Sequence, residues 1–260
     1  MKDKNGIAGC YKNLGIVEHY LRDFEKSKIL FQKSLDICIE LQDKDGIASC
    51  YQNLGVVQQT LREFEESKTS QQKALDMFIE MQNKEGIANC FTNLGHLERV
   101  LGKLKKAKQS FQKSLDFYKE LQHKQKIANC YQSLGVVEGD LGELSKAKIS
   151  FQKALDMFEE LQDRNGIAGC YQNLGGFEQS LGGLTKAKTL YQNALDIFIK
   201  LQNKEGIASC YGNLGSVAHD EKNFVQAKIL WIQSRDLFLA IGLTEKASIF
   251  QNGLDHLEKQ

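Results

Sequence analysis

Cysteine recurs with a regularity that could support chemistry, because thiols can form disulfides, bind metals or attack substrates. Six of the seven cysteines share one position of a 40-residue period: Cys10, Cys50, Cys90, Cys130, Cys170 and Cys210. Equivalent residues on neighbouring packed helices lie about 8–10 Å apart, beyond the ~7 Å between Cα atoms that a disulfide allows. The chain has no C-x-x-C or zinc-type spacing. We therefore predict small, free, apolar thiols in a reducing compartment.

The other residues that could act as catalysts do not form a recognisable constellation. The five histidines are scattered, with no H-E-x-x-H motif. His96 and Cys90 are six residues apart, an unsuitable helical separation for a nucleophile and its base. The glycines around Gly182 do not follow a predicted strand, so a phosphate-binding loop is not supported. We predict no enzymatic activity, no metal site and no cofactor.

Asparagine recurs in the same register as cysteine. It occupies one repeat position as Asn13, Asn53, Asn93, Asn173 and Asn213, with Ser133 in the remaining repeat. Each lies next to a predicted core leucine and two residues after a core aromatic, so its side chain points away from the apolar stripe. A row of amides offers donors and acceptors that can hold the backbone of an extended peptide. The alternative is that these amides bond neighbouring backbone groups or one another.

These residues are carried by a repeated pair of helices. The phrase GIASCYQNLG from Gly46 returns as GIANCFTNLG from Gly86, 40 residues later. Apolar residues follow helical spacing, and connectors such as Leu101–Leu104 place glycine where a helix C-cap is expected. A period of this length indicates a solenoid, in which each unit buries its apolar face against its neighbours. We predict six helix pairs followed by a C-terminal capping helix over residues 243–260, with the pairs spanning residues 1–42, 43–82, 83–122, 123–162, 163–202 and 203–242.

Composition excludes several classes of partner. The net charge is +1, so no basic field would attract nucleic acid. No apolar run approaches the ~18 residues that a membrane span needs. The N-terminal residues lack the apolar core of a signal peptide. We expect a cytoplasmic protein that binds neither nucleic acid nor membranes.

The motif residues resemble the tetratricopeptide repeat family, whose pattern is an aromatic, two residues, Leu-Gly, then an alanine followed after three residues by a second aromatic. In the third repeat these residues are Phe91, Leu94, Gly95, Ala107 and Phe111. The chain departs from the pattern at Ser27 and Ser67, which replace the alanine, and at Gln71, which replaces the second aromatic. The period is also 40 residues instead of 34, and the closing proline is missing. The resemblance covers residues 1–242 and implies an all-α fold, a right-handed α-solenoid of helix-turn-helix repeats.

The resemblance also implies a binding surface, because in similar proteins the first helix of each pair lines a concave groove and its asparagines form a ladder. Glutamines precede three of the ladder positions, and the neighbouring positions vary as a specificity surface could. The predicted ligand-binding residues are Asn13, Asn53, Asn93, Asn173, Asn213, Gln52, Gln132, Gln172, Val56, His96, Arg99 and Val136. Relatives that capture a C-terminal carboxylate use several basic groove residues together, whereas here only Lys12 and Arg99 qualify.

The sequence thus predicts a non-catalytic scaffold that binds a peptide or protein segment in the groove. The alternative is a sensor or regulatory segment of a larger signalling or defence protein whose effector domain lies elsewhere. An uncapped first helix would also allow self-association through the N-terminal repeat.

Overall fold

The computed structural model describes residues 3–257, and all regular structure in this range is α-helical. The chain forms two compact units, of which the first ends at Gly142 and the second begins at Glu143. The first unit contains α1 (Lys4–Tyr20), α2 (Phe24–Leu41), α3 (Lys44–Thr60), α4 (Phe64–Glu80), α5 (Lys84–Val100), α6 (Leu104–Glu120) and α7 (Lys124–Asp140). The second contains α8 (Leu144–Glu160), α9 (Arg164–Ser180), α10 (Leu184–Lys200), α11 (Lys204–Asp220), α12 (Phe224–Ala240) and α13 (Thr244–Leu257). The predicted all-α fold is confirmed.

We call α1, α3, α5, α7, α9 and α11 the A helices, and α2, α4, α6, α8, α10 and α12 the B helices. Most A helices begin at a side-chain cap. Asp43 Oδ1 accepts a hydrogen bond from Gly46 N at 3.0 Å, and Asn83 Oδ1 accepts one from Gly86 N at 2.9 Å. These bonds satisfy backbone donors that lack partners within the helix. In α7 the N-cap is His123, whose side chain makes no such bond.

The turns require left-handed backbone. Gly102 has φ +71° and Gly142 has φ +74° at the ends of their A helices, as expected for glycine caps. The same connector carries Arg62 at φ 63° in the second repeat. Within each unit the short turns keep consecutive helices antiparallel.

Within each unit, a B helix packs against the A helices that flank it. In the first unit, Phe31 and Leu35 of α2 form a core cluster with Cys50, Leu54 and Val57 of α3. The same contacts recur between α6 and α7 and, in the second unit, between α10 and α11. The 40-residue repeat of the sequence therefore appears as a repeat of contacts between helices.

Glycine within the A helices permits this close packing. A Cβ on Gly95 would lie 2.7 Å from Cε1 of Phe111, and one on Gly175 would lie 2.7 Å from Cε1 of Tyr191. The helix-interior glycine costs about 1 kcal/mol relative to alanine, and the aromatic ring that lies against the backbone offsets this cost.

The two serines that depart from the repeat pattern make hydrogen bonds to backbone carbonyls. Ser27 and Ser67, which replace the small apolar residue of the B helix, donate to the carbonyls of Gly15 and Gly55 at 2.8 and 2.7 Å. Both hydroxyls are buried, so these bonds remove the penalty of desolvating a polar group.

The two ends of the described chain differ in how their apolar residues are covered. Phe250 of α13 stacks on Phe238 of α12 with ring centroids 5.9 Å apart. In α1, by contrast, Leu14 and Val17 are 48% and 50% exposed, whereas the equivalent residues of α3 are buried. Self-association through this face of α1 stays a prediction. Among the described helices, none is long and apolar enough to span a membrane.

Candidate functional site

The recurring asparagines lie on the A helices, and most have no side-chain hydrogen bond to the residues that the structure describes. Asn53, Asn173 and Asn213 are half-buried and Asn13 is exposed. None of these four makes a hydrogen bond to another described residue. Their amide donors and acceptors are therefore available to another molecule.

Asn93 differs from the other asparagines because it takes part in a buried amide network. Its Nδ2 donates to Oε1 of Gln71 at 3.3 Å, and Nε2 of Gln71 donates to the carbonyl of Gln52 at 2.9 Å. Gln71 is only 1% exposed. This network links α3, α4 and α5, so Asn93 has a structural contact as well as an accessible side chain.

The predicted glutamines reach toward the next repeat. Nε2 of Gln52 lies 3.5 Å from Sγ of Cys90, and Nε2 of Gln172 lies 3.2 Å from Sγ of Cys210. Thiols are weak hydrogen-bond acceptors, so these contacts orient the amides without satisfying them strongly. Gln132 lies at the cavity described below.

The remaining predicted residues differ in exposure. Val56 and Val136 are half-buried. Arg99 is exposed, and its Nη1 lies 3.3 Å from Oδ2 of Asp140. An exposed pair of this kind contributes little to stability, but Asp140 offsets part of the positive charge that Arg99 would offer a ligand.

A polar cavity of about 310 Å³ lies on the A-helix side of the first unit, between α5, α6 and α7. α5 contributes Asn89, Thr92, Asn93 and His96, and α7 contributes Lys126, Asn129, Gln132 and Ser133. The cavity thus brings together three of the predicted residues, Asn93, His96 and Gln132. The other predicted residues lie outside it.

Two titratable ring side chains line the cavity, those of Tyr118 and His96. Burial raises the pKa of Tyr118 well above its usual value, so its hydroxyl stays protonated and donates to Oδ1 of Asn89 at 2.6 Å. The ring of His96 contacts Phe111 edge-on, with centroids 4.9 Å apart. Desolvation by the surrounding protein lowers the pKa of His96 below its usual value, and the positive charge of Arg99 lowers it further. His96 is therefore predominantly neutral at neutral pH.

Comparison with known families identifies the family to which the chain belongs. The tetratricopeptide repeat model matches residues 7–80 and 86–160, more than half of the sequence. The chain belongs to the tetratricopeptide repeat family. No curated protein matches the chain in sequence.

Solved structures that are similar to this tetratricopeptide repeat protein share its fold at low identity. RapI in its apo form has a TM-score of 0.70 and 18% identity, and 97% of each chain is covered. A Rap protein complexed with competence and sporulation factor has a TM-score of 0.72 and 16% identity, with 96% of this chain and 74% of that one covered. A signal transduction ATPase with a tetratricopeptide repeat sensor from Pyrococcus horikoshii also scores 0.72 at 16% identity, with 96% of this chain and 43% of that one covered.

Sequence reasoning missed several residues of the cavity in this tetratricopeptide repeat protein. Asn89 and Asn129 share a repeat position that is Gly or Ser in the other repeats. Lys126 takes the place of a glycine found in every other repeat. These deviations from the repeat were visible in the sequence, but only the fold places them around one cavity.

The repeated cysteines are free, and Cys10 is the exposed member of the set. Burial raises the pKa of Cys50 to about 11 and the pKa values of Cys90, Cys170 and Cys210 to about 12. Such thiols are weak nucleophiles at neutral pH. Within residues 3–257, no group of three His, Cys, Asp or Glu side chains is arranged to hold a metal ion.

Proposed function

We propose that this tetratricopeptide repeat protein is a non-catalytic interaction scaffold, and that the A-helix surface of the first unit binds an extended segment of another protein. The observation that carries the proposal is the unpartnered state of Asn13 and Asn53, which recur at one position of successive A helices. Each amide can accept a peptide N–H and donate to a peptide carbonyl. Asn173 and Asn213 offer the same groups in the second unit.

Three further observations support this function. The cavity beside Asn93 supplies a recess into which a side chain of the bound segment can enter. The raised pKa values of the buried thiols argue against nucleophilic catalysis by these cysteines. A Rap protein of similar fold has been solved in complex with competence and sporulation factor, which supports binding of a partner by this kind of fold.

Selection from a random peptide display library provides the test. The affinity of a selected peptide is then measured by fluorescence anisotropy for the wild-type chain and for the double variant Asn13→Ala/Asn53→Ala. Neither asparagine bonds another described residue, so the double variant should keep its stability. Loss of hydrogen bonds from both amides should weaken binding by about tenfold or more.

The matched control is Gln112→Ala, which removes an exposed amide from the B helix α6, where it bonds only Asp116 at 2.8 Å. This variant should bind the peptide like the wild type. If the asparagine double variant also bound every selected peptide with wild-type affinity, the proposed surface would be wrong.

A second candidate function is a sensor segment of a larger signalling protein, which the similarity to the tetratricopeptide repeat sensor from Pyrococcus horikoshii favours. In that case the same surface would bind the signal, while another domain would carry the response. Sequencing the complete gene and its transcript discriminates between the two functions, because an effector domain in the same open reading frame would support the sensor.

A further inference from the structure

The polar cavity between α5, α6 and α7 contains a cationic residue, Lys126, in addition to its neutral amides. We propose that it binds the side-chain carboxylate of an aspartate or glutamate in the bound segment, with Lys126 as its counter-ion. This inference rests on the proposed function, because it specifies one residue of the segment that the A helices would hold.

The charges around the cavity favour an anion. Lys126 lines it and no aspartate or glutamate does, although the carboxylate of Glu85 lies close enough to the lining residue Tyr118 to help raise its pKa. Lys126 forms no ion pair with any residue that the structure describes. Its ammonium group is therefore free to donate, and a carboxylate in the cavity would gain a charge-assisted hydrogen bond.

The local sequence of α7 shows how this charge arises. The side chains of Asp43, Asn83, Asp163 and Asn203 cap the equivalent A helices α3, α5, α9 and α11, whereas the N-cap residue of α7, His123, makes no such bond. The first turn of α7 also contains no acidic residue. Lys126 itself lies at a position where the other repeats have glycine. Of these two changes, the lysine adds a cation to the cavity lining, whereas His123 lies outside the lining.

The neutral donors around Lys126 fit a carboxylate as well. Asn129 and Ser133 make no hydrogen bond to the described residues, and Asn89 uses its Oδ1 to accept from Tyr118. The Nδ2 group of Asn89 therefore remains a donor. A carboxylate is an acceptor of about four hydrogen bonds with one negative charge. One lysine and several neutral donors complement this group, whereas a doubly charged phosphate would find only one cation because His96 is neutral.

Two small probes test the cavity directly. N-acetyl-glutamate N-methylamide and its neutral isostere N-acetyl-glutamine N-methylamide are titrated into ¹⁵N-labelled protein, and the side-chain amide resonances of Asn89, Asn93 and Asn129 are followed by NMR. We expect saturable shifts with the glutamate probe and at least about tenfold weaker binding of the glutamine probe. Equal affinity for the two probes, or no saturable shift with either, would overturn the proposal.

Variants of the two lysines in the first turn of α7 separate a specific contact from general charge. Lys126→Gln should reduce the affinity for the glutamate probe to that for the glutamine probe. Lys124→Gln removes the same charge from an exposed residue outside the cavity lining and should keep most of the discrimination. An unchanged glutamate affinity in Lys126→Gln would contradict the proposal.

Display-selected peptides then distinguish a side chain of a segment from a free small carboxylate. We expect an Asp or Glu at one fixed position of these peptides, and its change to Asn or Gln should weaken binding to the wild type but not to Lys126→Gln. If the probes bind but the peptides show no such residue, the assignment to a bound segment is wrong. Failure of the cavity test leaves dependence on Asn13 and Asn53 intact, so the two proposals fail separately.

Discussion

The side-chain amide of Gln71 lies against the backbone of Gly55, in the place that the aromatic ring of Phe111 takes against Gly95. Its Nε2 bonds the carbonyl of Gln52, and its Oε1 accepts from Asn93. A glutamine thus fills an aromatic position of the repeat and satisfies its polar atoms by linking α3 to α5.

Truncation of this glutamine should be costly. We expect Gln71→Ala to lower the free energy of unfolding by about 2–4 kcal/mol, because it leaves a cavity and removes buried hydrogen bonds. Gln72→Ala is the control, since Gln72 is exposed and bonds Asp76 at the helix surface. Urea denaturation followed by circular dichroism measures both variants. A loss no larger for Gln71→Ala than for Gln72→Ala would contradict the structural role of this amide.

Two glycines of the A helices should respond to alanine in opposite directions. Gly95→Ala places a Cβ 2.7 Å from Phe111, so we expect a destabilisation of about 1–3 kcal/mol. A Cβ added to Gly9 in α1 would meet no atom within 4 Å, so Gly9→Ala should stabilise by about 0.5–1 kcal/mol through helix propensity. Thermal and urea denaturation of the two variants provide the measurement, and the same sign for both would refute this account of the glycines.

The thiols should differ sharply in reactivity. Cys10 is exposed, whereas the other six cysteines are buried. We expect Ellman's reagent at about pH 8 to modify Cys10 rapidly in the folded protein, because burial protects the others. Cys10→Ser should remove the fast phase, and a denaturant should expose the remaining thiols. A fast phase that survives in Cys10→Ser would show that a core cysteine is accessible.

Stability should decrease in mild acid through His96. Its pKa in the folded state lies below the usual value of 6.5, so between these two pH values the unfolded state binds more protons than the folded one. The free energy of unfolding therefore falls as the pH falls from about 6.5 to the folded pKa. NMR titration of the ring resonances measures the folded pKa, and a value above 6.5 would refute the prediction.

His19 should contribute to the same acid dependence. Burial, followed by Arg22, lowers its pKa as well. His96→Gln alone should therefore remove only part of the acid dependence, and the double variant His19→Gln/His96→Gln should remove more. Denaturation curves collected across this pH range test the order of the three proteins.

The fold was predictable because the sequence features that determine each helix pair are repeated along the chain. The same apolar spacing and small residues recur every 40 residues, so one weak local signal is observed many times over. The absence of disulfides between the repeated cysteines was also predictable from their common position in the repeat. The bonds of Ser27 and Ser67 to glycine carbonyls were not predictable, because the replaced alanine gives no sign of an acceptor twelve residues away.

The candidate site was predictable only in part, because a repeat pattern emphasises what its members share. It identified the position of Asn53 and Asn93, but the cavity depends on residues that depart from the pattern, such as Lys126 and Asn129. The bond from Arg99 to Asp140 also spans neighbouring A helices. Such contacts depend on how two repeats are packed, which the sequence of one repeat does not specify.

The central claim is that the A helices of the first unit bind the partner segment. The most direct measurement is a backbone amide NMR spectrum of ¹⁵N-labelled protein with and without a display-selected peptide. The account predicts shift changes concentrated in α1, α3, α5 and α7, together with the side-chain amides of Asn13 and Asn53. Changes confined to the exposed faces of α2, α4 and α6 would contradict it.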